Sequence, residues 1–333
     1  MRLDRFRFAA ALSAAAIGIA SGEGVDPALP GYEPRPFEVA RDASYVNAEG
    51  AIVVLGYNDM RNFLTPLAAR FTAAHPGVRL ALELPGTRFA PAALASGASA
   101  LAPMGAELTP PQLADYRARV GTDPVAIRVA HASLDARALS GPLGIFVHRD
   151  NPVASLTIAQ VARVFTGSVT RWGELGATGP WAERPIHAYG LERTTALADF
   201  LQRGALAGQS FAREMTGFPQ STDVVRRVGE DAFAIGFAAA MRTTPEVRML
   251  PLAARDGAEA VLPTPQSIVE NRYPLDRFLL VYVRPPVPPV AREFVRLLLA
   301  REGQEAVAAS PQAYLPLSAP DAARELAKLE ALR

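Results

Sequence analysis

Cysteine is absent from this 333-residue chain. Disulfides, thiolate nucleophiles, Cys-ligated zinc and iron–sulfur clusters are therefore excluded, and so is the lipid-modified cysteine of a lipoprotein. Lysine is nearly absent: Lys328 stands alone, and every other basic residue is arginine. A single lysine close to the C-terminal end argues against P-loop, Schiff-base and kinase chemistry. Histidine is sparse, at His75, His131, His148 and His187. None forms an H-E-x-x-H pattern, and there is no G-x-S-x-G elbow. No later apolar stretch reaches the roughly 20 residues of a membrane span.

What remains is the composition of a soluble globular protein, 50% hydrophobic and 20% charged, too apolar for disorder. Its length suits two lobes of roughly 100–150 residues each. Arg2, Arg5 and Arg7 precede an apolar run from Phe8 to Ala20, followed by small residues. This is the tripartite pattern of a signal peptide over residues 1–22, an uncleaved anchor being the other reading. Its removal turns 34 basic and 33 acidic residues into 31 and 32. Such a chain has no global basic field for nucleic acid or an anionic membrane.

Residues 23–49, with Pro27, Pro30, Pro34 and Pro36, read as an extended lead-in outside any packed element. Strands are expected at 51–55, 78–84, 125–129 and 143–148. Helices through Phe63, Leu67 and Phe71 and over 91–96 make the first part β-α-β-α-β, the rhythm of an α/β sheet. A second set follows Arg149-Asp150-Asn151-Pro152. It has helices at 157–165 and 195–206, a helix capped at Ser221-Thr222-Asp223, and strands at 185–189 and 234–237. Trp172 and Trp181 are expected to pack within this second part.

Several fragments resemble one family in the right order. They are Gly144–Pro152 with Leu156-Thr157, Val164-Phe165-Thr166-Gly167 with Arg171-Trp172-Gly173-Glu174-Leu175, and Ala234-Ile235-Gly236-Phe237. Tyr273-Pro274-Leu275-Asp276-Arg277, Glu302-Gly303-Gln304-Glu305 and Tyr314-Leu315-Pro316-Leu317 complete the set. Together they resemble the phosphate-binding proteins of bacterial ABC importers. The resemblance implies an α/β, two-lobed, type II periplasmic-binding fold with two hinge crossings and a ligand cleft between the lobes. Lobe 1 would comprise 50–146 and 250–320, lobe 2 would be 147–249, and 321–333 would be a C-terminal helical tail. The hinges would lie near His148 and Leu250.

Anion recognition in such a cleft needs backbone N–H donors at helix N-termini and hydroxyls, and can use an arginine. The loops Gly56–Met60, Gly86–Phe89, Gly190–Thr195 and Gln220–Thr222 are expected to supply them. The candidate ligand-binding residues are Tyr57, Asn58, Asp59, Thr87, Arg88, Arg193, Thr194, Thr195, Ser221 and Thr222. Four have a plainer reading: Asn58, Asp59 or Thr194 as a helix cap, and Arg88 as a solvated surface arginine. The chain departs from the family pattern at Ala100, Gly105, Ala106, Leu191 and Ala196, where polar or flexible residues would be expected. Each missing charge-assisted hydrogen bond costs about 1.5–3 kcal/mol.

The resulting expectation is a periplasmic or secreted, monomeric, non-enzymatic protein with no catalytic residues, metal or cofactor. It would capture phosphate or another small anion for the permease of an ABC importer, without stable membrane insertion. Two rivals keep or drop the binding role: a degenerate cleft serving another ligand or an envelope interaction, and an exported hydrolase.

Overall fold

The computed structural model describes residues 24–332. The signal peptide expected at 1–22 lies outside the described residues. The chain opens with β1 (Ile52–Leu55), α1 (Arg61–Ala74), β2 (Leu80–Glu83), α2 (Ala90–Ser96), β3 (Ala102–Met104), α3 (Pro110–Val120) and β4 (Val125–Ser133). There follow β5 (Leu143–His148), β6 (Leu156–Thr157), α4 (Ile158–Phe165), β7 (His187–Leu191), α5 (Ala196–Gly204), β8 (Thr216–Phe218), α6 (Ser221–Gly229) and β9 (Ala234–Ala239). Then come β10 (Val247–Met249), β11 (Leu252–Ala253), α7 (Pro265–Val269), β12 (Phe278–Val283), α8 (Pro289–Leu299), α9 (Arg301–Ala308), β13 (Tyr314–Leu315) and α10 (Ala319–Glu330).

Two sheets organise the lobes. The first has the order β13-β4-β12-β3 and is antiparallel throughout. The second has the order β10-β5-β9-β7-β8, parallel across β9, β7 and β8 and antiparallel at β10, β5 and β9. Short parallel pairs join β1 to β2 and β6 to β11. Each sheet has its own apolar core. Phe63, Phe71, Phe294 and Val281 lie in the first; Phe146, Phe165, Trp172 and Phe237 lie in the second. The helices form where one stripe can be buried. In α4, Thr157 caps the first turn in a capping box with Gln160, and Val161, Val164 and Phe165 are buried. Trp172 packs edge-on against Trp181 at 6.4 Å within the second lobe.

The break between the cores falls elsewhere than the motifs suggest. Ala138 and Leu279 belong to the first core, whereas Leu143 and Leu275 belong to the second. All of β5 joins the second sheet, and Leu250, Leu252, Val261, Ile268 and Tyr273 pack in its core. The crossings therefore lie near residues 139–142 and 276–277 rather than at His148 and Leu250. His148 ends β5 inside lobe 2. The reason is long-range pairing: β5 is held between β9 and β10, and nothing local to Gly144–Pro152 specifies those partners.

Two terminal segments are also more integral than expected. The stretch before β1 is extended but packed. Leu29 is fully buried, Arg301 Nη2 donates to the carbonyls of Pro27 and Leu29, and the Tyr32 amide donates to Glu302 at 2.8 Å. The C-terminal α10 is part of lobe 1, burying Ala322 and Leu329 in its core, so 321–332 is not a detached tail.

Candidate functional site: the interlobe cleft

A cleft of about 370 Å³ separates the lobes. Lobe 1 supplies Tyr57, Thr87 and Gly105, the two crossings supply Ser140 and Arg277, and lobe 2 supplies Thr195, Ala196, Leu197, Gln220 and Ser221. On the lobe 1 side, the loops after β1 and β2 are tied together by the Gly86 amide, which donates to the Gly56 carbonyl at 3.0 Å. Gly86 has φ +130°, a conformation that requires glycine, and it turns the chain into the short 3-10 helix Thr87–Phe89. Tyr57 is buried, and burial pushes its phenol up to about 12, so the hydroxyl keeps its proton at neutral pH. That hydroxyl lies 3.2 Å from Ser140 Oγ, and Ser140 Oγ donates to the Gly105 carbonyl at 2.8 Å. Tyr57 is thus the donor in its pair.

On the lobe 2 side, Thr195 caps α5. Its Oγ1 accepts from the Ala198 amide at 3.3 Å and donates to the Glu192 carbonyl at 2.8 Å. The amides of Ala196 and Leu197 in the first turn have no carbonyl a turn before them, and both residues line the cleft. The second helix start is α6, whose cap position is Gln220 rather than Ser221. Ser221 Oγ instead accepts from the Ala239 amide at 3.1 Å and retains a proton to donate. Two helix N-termini, positive in their dipoles, therefore meet at one wall.

Arg277 stands opposite, immediately before β12. It is 5% exposed. Its one side-chain hydrogen bond is a long one, from Nη2 to the Gly105 carbonyl at 3.4 Å, and its buried Nε has no partner. Burial pushes its pKa down, against the pull of Glu107 and Asp276. Asp276 is committed elsewhere, its Oδ2 lying 2.6 Å from His131 Nδ1. Among the described residues, no aspartate, glutamate or histidine lines the cleft.

Of the ten candidate residues, the cleft brings together Tyr57, Thr87, Thr195 and Ser221. The other six lie outside its lining. Asn58, Thr194 and Thr222 are exposed to solvent. Asp59 is buried, where its Oδ2 accepts from the Leu139 amide at 3.0 Å and from the Tyr314 hydroxyl. Arg88 is exposed and its guanidinium lies over the Phe89 ring at 4.5 Å. Arg193 turns outward and donates to the Ala212 carbonyl at 2.8 Å. Neither Asn58 nor Thr194 caps a helix; Tyr57 and Thr195 hold those positions. Ser140 and Arg277 were missed. Nothing in local composition singles out Ser140, whereas Arg277 stood in plain view in the Tyr273–Arg277 motif.

The same architecture recurs in known proteins. A family described as a PBP superfamily domain matches residues 43–302. The phosphate-binding protein PstS of Pseudomonas aeruginosa is 31% identical over 342 aligned positions, covering 99% of this chain and 99% of the relative. PstS from Borrelia burgdorferi superposes with a TM-score of 0.55 at 15% identity, covering 80% of this chain and 99% of that one. An ABC-type phosphate transport receptor from Vibrio cholerae gives 0.53 at 17% identity, with 79% and 99% covered. The last two share the fold. The chain belongs to the PBP superfamily and, through its whole-length similarity, to the family of the phosphate-binding protein PstS.

Proposed function

We propose that this chain is an exported solute-binding protein, not an enzyme, that captures phosphate in the interlobe cleft and delivers it to the permease of an ABC importer. One observation carries the reading to this molecule. Among the described residues, the polar lining of the cleft includes two helix starts, the Thr87 and Ser221 hydroxyls and Arg277, beside apolar Leu139, Leu191 and Ala239, with no carboxylate. Such a wall favours an anion and repels none. The same lining offers no histidine or carboxylate to serve as a general base, which supports binding over turnover. The names of the relatives supply phosphate as the first anion to test. Export is supported by the basic and apolar pattern at residues 2–20. No described helix is long and apolar enough to cross a membrane.

The test is titration calorimetry and thermal melting of the chain lacking residues 1–22, with phosphate as titrant. Saturable binding at one site per chain is expected. A concentration 100 times the Kd should add about 2.7 kcal/mol of apparent stability, a melting rise of about 5 °C or more. No heat and no melting shift at millimolar phosphate would sink the reading.

A further inference from the structure

We propose that Arg277 is the charged anchor of the cleft, the residue that pairs with the bound anion. The inference rests on the anion-binding reading above and names the side chain that sets its charge recognition, which would then come from the second crossing between the lobes.

The grounds are geometric. A guanidinium presents five N–H donors in a fixed plane, and a buried one is normally met by a carboxylate. Arg277 is 5% exposed, yet no carboxylate oxygen of the described residues lies within 4.0 Å of its nitrogens. Its one side-chain hydrogen bond is the long contact to the Gly105 carbonyl, and Nε is buried without any partner. The carboxylate next to it in sequence, Asp276, is held by His131. Across the cleft, the Phe200 ring of α5 lies 5.5 Å from its guanidinium carbon, so the charge sits against the helix whose first turn lines the other wall. A buried, under-satisfied cation at the edge of a cavity is a costly arrangement. It becomes favourable when an oxyanion enters between Arg277 and the starts of α5 and α6. Arg88 and Arg193, the arginines that local sequence offers for this role, are not in the cleft lining; Arg193 is held by the Ala212 carbonyl and Arg88 lies over the Phe89 ring.

The site so built is rich in donors and holds no anionic acceptor. Its ligand class is a small oxyanion recognised through its charge and acceptor oxygens, with no carboxylate to require a proton on the ligand. Phosphate and sulfate are the probes that bear on this.

The experiment compares the wild type with Arg277→Gln and Arg277→Lys, titrated with inorganic phosphate and with sulfate, and melted in anion-poor buffer. Loss of a charge-assisted pair at about 1.5–3 kcal/mol corresponds to about 10- to 150-fold weaker binding. Arg277→Gln should show that loss while melting, without anion, at the wild-type temperature or above it, because a buried charge that no carboxylate hydrogen-bonds has gone. Arg277→Lys keeps the charge but not the fork and should fall between. A purely structural arginine would behave in the opposite way. Arg277→Gln would then melt lower and, where folded, bind anion within twofold of wild type, and that result overturns the proposal. If Arg277→Gln does not fold, Arg277→Lys decides: weakened binding in a folded protein supports the anchor, and wild-type affinity overturns it. A wild type that binds neither anion removes the anion-binding reading itself, which is distinct from a wild type that binds while its Arg277 variants bind equally.

Discussion

Gly105 lies directly beneath the ring of Tyr57, so close that a Cβ at position 105 would run into that ring and come within 2.9 Å of Ser140 Oγ. The bulk that a side chain at this position would supply comes here from Tyr57. Gly105→Ser should therefore displace Tyr57 into the cleft. The overpacking should cost about 1–3 kcal/mol, with a lower melting temperature. An unchanged melting temperature together with unchanged phosphate affinity would show that the Tyr57 ring moves aside freely.

Polar variants should separate the cleft wall from its surroundings. Thr195→Ala removes the cap of α5 and Ser221→Ala removes a donor, so each should weaken anion binding, by about fivefold or more at roughly 1 kcal/mol per lost hydrogen bond. Arg88→Ala and Arg193→Ala should leave affinity within about twofold, since rim charges act mainly on association rate and salt dependence. Calorimetry of the four variants against wild type checks the ordering. A large loss at Arg193 with none at Thr195 would mean that the helix start is not where the anion sits.

Asp59 is expected to matter for stability. Its Oδ2 accepts from the Leu139 amide and from the Tyr314 hydroxyl. Asp59→Ala leaves the buried Tyr314 hydroxyl without a partner, at about 1–3 kcal/mol, and frees the Leu139 amide, which lies nearer solvent and costs less. Denaturant unfolding should show the loss of stability, and anion affinity measured below the unfolding transition should change little. The reverse pattern would return Asp59 to the ligand.

The strap before β1 makes stability depend on pH through His75. Tyr32 Oη donates to Glu293 at 2.8 Å, so its contact with His75 Nε2 at 2.7 Å must be a donation from the imidazole. Burial holds the His75 pKa below its ordinary value of 6.5, against the pull of Glu293. The unfolded chain therefore takes up this proton first. The stabilising contribution is complete above about pH 6.5 and is lost as pH falls below it. Melting from about pH 7.5 to 5.5 should fall more steeply for wild type than for His75→Gln, which has nothing to titrate. Parallel curves would exclude His75 as the source.

Leu143 donates its amide to the carbonyl of Leu275 at 3.0 Å, and Tyr273 Oη donates to the Leu143 carbonyl at 2.7 Å. The two crossings between the lobes thus run side by side, a short hinge about which the lobes can rotate. Small-angle scattering should show a smaller radius of gyration on saturation with phosphate. An unchanged radius at saturation would mean that the cleft binds without closing.

Sequence alone determined the class of this protein. Cysteine and lysine scarcity excluded whole chemistries, β-α alternation indicated an α/β chain without its strand order, and ordered fragments from Gly144 to Leu317 identified the family. Glycine-led loops at Gly56, Gly86 and Gly190 and the start of α6 placed the walls of the cleft, because turn and cap chemistry is local. Tertiary structure alone decided which side chains face inward. Arg88 and Arg193 stand on the right loops yet turn outward, and Asp59 is consumed by Tyr314, 255 residues away in sequence. Arg277 enters the cleft only because β12 returns beside β4 and β3. The hinges moved from His148 and Leu250 for the same reason. Strand partners and side-chain directions are fixed by contacts between distant segments, which spacing along the chain does not encode.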